Sequence, residues 1–115
     1  MLMTDIRAGS SSKITFTLKD AAGVAVPAVA VVTLTLSLYN TKTDAVINSR
    51  DNQNVKGVNG GTVVDGGGTI VLGAADNPLQ LSTLQSEPHT ALLKFTTANE
   101  AGSGELTFNV HRVRP

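Results

Sequence analysis

The amino-acid sequence predicts an all-β chain folded as an antiparallel β-sandwich of about seven to nine short strands. Three observations carry this expectation. Apolar and polar residues alternate at period two in several runs, the signature of strands with one buried face. Clusters of Gly, Asn and Asp separate those runs at spacings of about ten residues, and each supplies turn chemistry. A hydrophobic share of 41% with only 3% aromatics implies a core of Val, Leu, Ile and Ala. At 115 residues the chain fits a single domain, residues 1–115, able to bury roughly two thirds of its unfolded surface.

Residues 1–8 read as an N-terminal arm or edge strand, followed by a flexible turn over Ala8–Ser12. Lys13–Lys19 alternates without a fault, with Ile14, Phe16 and Leu18 inward and lysines and threonines outward. Asp20-Ala21-Ala22-Gly23 is a turn in which Asp20 bonds the backbone two residues on and Gly23 takes the left-handed conformation. Val24–Val29 contains Pro27, which has no N–H for a ladder and so belongs to an edge or a bulge. Val31–Tyr39 is a central strand with Val32, Leu34, Leu36 and Leu38 on its core face. After the polar turn Asn40–Asp44, Ala45–Asn48 returns as a shorter strand, and Val55–Val58 is a brief one. Thr62–Val64 and Thr69–Leu72 flank Asp65-Gly66-Gly67-Gly68 as a glycine-rich hairpin. One short helix is expected near residues 78–84, with Asp76 or Asn77 capping it and Pro78 at its first position.

The longest hairpin closes the chain, over residues 89–111. In His89–Thr97 the residues Ala91, Leu93 and Phe95 share one face, and in Glu105–His111 Leu106, Phe108 and Val110 point inward. The glycines of Ala98–Gly104 allow the return. Leu92 breaks the alternation, so the outer face there is covered or faces a partner.

Nine basic and nine acidic residues leave a net charge of zero with no block of either sign, which argues against a nucleic-acid surface. Without cysteine there is neither a disulfide nor a thiolate metal site. Met1–Asp5 lacks the basic start and apolar core of a signal peptide. The apolar stretch Val24–Leu38 is interrupted by Pro27 and hydroxyl residues and is too short to span a membrane, so no membrane association is expected.

No catalytic, cofactor-binding or metal-binding residues are expected. The glycines after Asp65 lack the Lys-Ser/Thr of a phosphate loop, and Asp65 alone does not supply a calcium loop. His89 and His111 face one another across the predicted hairpin without a third ligand, and Ser10–Ser12 has no base at hand. The candidate residues are those of an interface: Val26, Val29 and Val31 in the apolar run, Leu92, and Arg112 and Arg114 at the weakly basic end. The run Val24–Val31 is either an exposed association patch or a buried crossing between sheets. In the first case Val29→Asp and Val31→Asp weaken assembly more than folding; in the second both lose together.

Several segments carry a resemblance. Asp5-Ile6-Arg7-Ala8-Gly9, the strand running into Leu18-Lys19-Asp20-Ala21-Ala22-Gly23-Val24, and the Thr-rich strand Val32–Tyr39 belong to it. So do Gly68–Leu72, Ala75-Asp76, the Pro88-His89-Thr90-Ala91 run ending in Phe95, and Gly104–Val110. Over most of its length the chain resembles the small immunoglobulin-like virion proteins of tailed bacteriophages, with departures at Pro27–Ala30 and Asn48–Gly61. The resemblance implies an immunoglobulin-like form of the sandwich and a non-enzymatic virion component, assembled in the bacterial cytoplasm. It implies as partners other virion proteins: the major capsid protein for a decoration or minor capsid protein, or neck, tail and baseplate proteins for an adaptor. Self-association as a homo-oligomer is a further expectation. A carbohydrate-binding or adhesive module is the alternative, disfavoured because Tyr39 is the sole tyrosine and tryptophan is absent.

Overall fold

A computed structural model describes residues 5–7, 11–78 and 86–111. Within them lie eight strands: β1 (Asp5–Arg7), β2 (Ser12–Thr17), β3 (Thr33–Asn40), β4 (Gln53–Asn54), β5 (Gly61–Val64), β6 (Gly67–Leu72), β7 (Ser86–Thr96) and β8 (Ala101–His111). They form a five-stranded sheet in the order β1-β8-β7-β3-β4 and a three-stranded sheet in the order β2-β6-β5. The chain is therefore all-β with a sandwich-like pair of sheets, as its periodicity predicts. The pairings are antiparallel apart from β1, which runs parallel to β8 from Asp5↔Asn109 to Arg7↔His111.

β3 is an interior strand of the five-stranded sheet, between β7 and β4, and its alternation is uninterrupted. Leu34, Leu36 and Leu38 have no solvent exposure, and they sit opposite Phe95, Leu93 and Ala91 of β7. β7 continues into β8 through the long hairpin, where Ala91 meets Leu106 and His89 meets Phe108. The second sheet contributes Ile14, Ile70 and Leu72 to the same core. In the β5–β6 hairpin Val64 pairs with Gly67, which leaves Asp65-Gly66 as a two-residue turn. Gly66 has a φ of +81° there, a conformation that glycine adopts without penalty. Gly102 answers a different need, because the ring of Phe95 on the paired strand lies where its Cβ would be.

Four expectations are corrected. Ala45–Asn48 gives only an isolated bridge, Tyr39↔Val46. Asn48, Ser49 and Asn52 all take positive φ, which turns the backbone out of the extended region. Pairing with β3 resumes at Gln53–Asn54, and Val55–Val58 is no strand, although Val55 is fully buried. Val24–Val29 makes one bridge, Lys19↔Ala25, before Pro27 leads into a 3-10 turn over Ala28–Ala30. Val32 precedes the first residue of β3 and is 57% exposed rather than inward. The expected helix near 78–84 lies, Pro78 apart, outside the described residues. A 3-10 turn forms earlier, at Ala74–Asp76, where the Asp76 carboxylate accepts the Gly73 N–H at 2.8 Å.

Candidate functional site

At one end of the sandwich three segments converge: the turn after β2, the 3-10 turn over Ala28–Ala30, and the loop between β7 and β8. Their backbones are tied by carboxylates. Asp20 Oδ1 accepts the N–H groups of Ala22 and Val24, each at 2.9 Å. Glu100 Oε2 accepts Ala21 N–H at 3.2 Å from across the end, and Asp65 Oδ1 accepts Ala28 N–H at 2.8 Å from the β5–β6 turn. Main-chain bonds add to these, with Val26 N–H donating to Leu18 O and Gly66 N–H donating to Val26 O. The result is a fixed surface that presents Val29 at 96% exposure, Val24 at 60% and Val32 at 57%. A cleft of about 370 Å³ lies among Pro27, Val29, Ala30, Val32 and the loop residues Thr97–Glu100.

The interface candidates separate on this geometry. Val26 and Val31 are 4% and 1% exposed and belong to the core, so their place as surface residues is corrected. The 3-10 turn is the physical reason, since it swings Val29 to solvent between two inward-facing valines. The run is thus neither wholly patch nor wholly core. Leu92 is half-buried on the outer face of β7, opposite Ser37 and Glu105, on a different surface from Val29. Arg112 and Arg114 lie outside the described residues.

His89 and His111 do not meet: His89 pairs with Phe108 and His111 with Ser86. His89 is fully buried, with its Nε2 2.7 Å from Glu87 Oε1 and its ring edge-on to Phe108 at 5.9 Å between centroids. Packing at a sheet end describes it better than ligation. Among the described residues no group of three His, Asp or Glu side chains is placed to hold a metal ion.

Sequence reasoning missed two buried polar groupings. The Glu87–His89 pair had a signal, because both fall in register with Ala91 on the inward face of β7. The second had none: Arg50 and Asp76 come from segments without periodicity, yet Nε and Nη2 of Arg50 reach Oδ1 and Oδ2 of Asp76 at 2.6 and 2.9 Å. Asn48 donates to Asp76 Oδ1 at 2.8 Å, and Nη1 of Arg50 donates to Gln53 Oε1 and to the carbonyl of Asn59. Burial works to raise the Asp76 carboxyl pKa, but hydrogen bonds from Arg50, Asn48 and Gly73 with the Arg50 charge outweigh it and leave the group below its ordinary value. This network clamps the loop after β3 to the turn after β6, and it is scaffold.

Comparison with protein-family models, with curated proteins and with solved structures found no match to this chain.

Proposed function

We propose that this protein is a non-enzymatic structural component of a tailed-bacteriophage virion, binding other virion proteins as a head-decoration or minor capsid protein. The observation that carries the reading is the apolar end, above all Val29 at 96% exposure on a turn whose backbone is held by Asp65. A single exposed valine means little, whereas several on one fixed surface suit an association site. Because hydrogen bonds already order the three segments, a partner meets a surface that loses little freedom on binding. The residue-level resemblance to small virion proteins supplies the context, and a neutral net charge suits a chain that works inside an assembly.

Val29→Asp and Val31→Asp test the reading together. Val29→Asp is expected to leave the melting temperature nearly unchanged, within about 0.5 kcal/mol of stability, and to reduce incorporation into particles. Val31→Asp buries a charge in the core and is expected to abolish folding. Normal incorporation of Val29→Asp would remove the apolar end from the assembly contact. Immunogold electron microscopy of purified particles then locates the protein: label over the head supports decoration, and label on the neck or tail makes it an adaptor. Particles without label or the protein by mass spectrometry would overturn the virion reading.

A further inference from the structure

We infer that the cleft between β2 and β8 is a strand-acceptor site, taking an extended segment of another protein chain along the free edge of β2. That segment carries apolar side chains at alternate positions and acidic ones between them. The inference concerns a different surface from the apolar end and does not depend on the virion reading.

The two sheets differ in width. Among the described residues five strands on one side face three on the other, and β2 forms an edge of the narrower sheet, paired only with β6. Along β8 the parallel partner β1 covers only Asn109–His111, so the stretch 101–108 has no neighbour on that side among the described residues. Between these edges runs a cleft of about 340 Å³, walled by the consecutive residues Ile14–Leu18 and Ser103–Leu106 and floored by Ala91, Leu93 and Phe95. Consecutive lining residues mean that strand edges, not one face, border the opening.

The large apolar side chains at the opening are incompletely covered: Phe16, Leu93, Phe95 and Leu106 are only half-buried. Gly104 gives the sharpest indication. It is paired with Leu93 and lies two residues before Leu106 on the inward side of β8, yet a Cβ there would meet no atom within 4 Å. An inward position of a sandwich that opens onto empty space marks where the second layer stops short.

The chemistry of the opening selects the occupant. An edge strand presents N–H and C=O groups at a two-residue repeat, which another extended backbone matches. Added beside β2, such a strand widens the narrow sheet over β8 and turns alternate side chains onto Leu93, Phe95 and Leu106. Its outward side chains come next to Lys13, Thr15 and Thr17, with Lys19 just beyond. Both lysines are exposed, and among the described residues neither has a carboxylate within ion-pairing distance. Charge complementarity therefore favours acidic residues at those positions. Glu105 also lines the cleft, from the wall that β8 contributes; the acidic side chains of the segment belong along the β2 wall, beside the lysines.

The probe is a capped synthetic peptide, Val-Glu-Ile-Thr-Val-Glu-Val, compared with the same peptide bearing Lys for Glu. Expected are saturable shifts of β2 amides in NMR titration and slowed hydrogen exchange along β2. The Lys peptide should bind about tenfold more weakly, with the preference reversed by Lys13→Glu/Lys19→Glu. Gly104→Leu fills open space, so it should fold normally and lose the peptide. The absence of saturable binding, or binding undiminished by Gly104→Leu, would overturn the inference. So would a concentration-dependent dimer disrupted by Gly104→Leu without peptide binding, since the occupant would then be a second copy. Because these measurements use the isolated protein, failure here leaves the virion reading standing, and failure of particle incorporation leaves the cleft standing.

Discussion

Asp76 shows what a single side chain contributes to this fold. It is 2% exposed, and both carboxylate oxygens accept hydrogen bonds from Arg50, with Asn48 and the Gly73 N–H adding to them. Removing the guanidinium strands a buried carboxylate, so Arg50→Ala should cost about 3–5 kcal/mol in urea unfolding. Replacing both partners with apolar residues of similar volume should cost far less, because the desolvation penalty disappears with the charges. The pH dependence follows from the lowered pKa. The unfolded chain binds the proton more readily than the folded one, so the stability from Asp76 is complete above the ordinary carboxylate value of 3.8 and is lost as the pH falls below it. Unfolding midpoints measured across that range should fall in the wild type and fall less steeply in Asp76→Asn.

At the scale of elements, the 3-10 turn over Ala28–Ala30 depends on a residue 37 positions away. Proline at 27 and three small or branched residues do not by themselves make a stable turn, and the turn buries none of its residues. Asp65, in the β5–β6 hairpin, supplies the acceptor for Ala28 N–H, so the hairpin turn and the exposed turn are one mechanical unit. Asp65→Ala should lower global stability by only about 1 kcal/mol, while hydrogen exchange at the Ala28 amide speeds up markedly more than exchange in β3. Equal acceleration at both sites would show that the turn opens only with the whole molecule. The same variant should loosen the presentation of Val29 and so mimic, in part, the loss of incorporation expected of Val29→Asp.

Across the whole molecule, protection should follow the sheet order. β3 lies between β7 and β4 and carries the fully buried Leu34, Leu36 and Leu38, so its amides should exchange only through global unfolding. Among the described residues β2 and the 101–108 part of β8 are edges of their sheets, and amides there that point away from the paired strand should exchange fastest among the strands. Slow exchange along these edges in the dilute isolated protein would mean that something already covers them.

Period two is a local property, and from it the sequence by itself determined the all-β class and the faces of β2, β3, β7 and β8; turn chemistry at Asp65–Gly68 and Ala98–Gly104 added two hairpins, whose turns the structure narrows to Asp65-Gly66 and residues 97–100. A residue's neighbours two positions away suffice to say which side of a strand it occupies, which is why Leu34, Leu36, Leu38, Phe108 and Val110 were legible as core. Tertiary structure alone decided the rest. Val26, Val29 and Val31 look alike in sequence, and their separation into core and surface rests on a turn held by Asp65. Arg50 and Asp76 find each other only because two aperiodic loops close on one another, and burial then makes their pairing obligatory. The open cleft beside Gly104 comes from a difference in width between two sheets, a quantity that no strand carries in its own alternation.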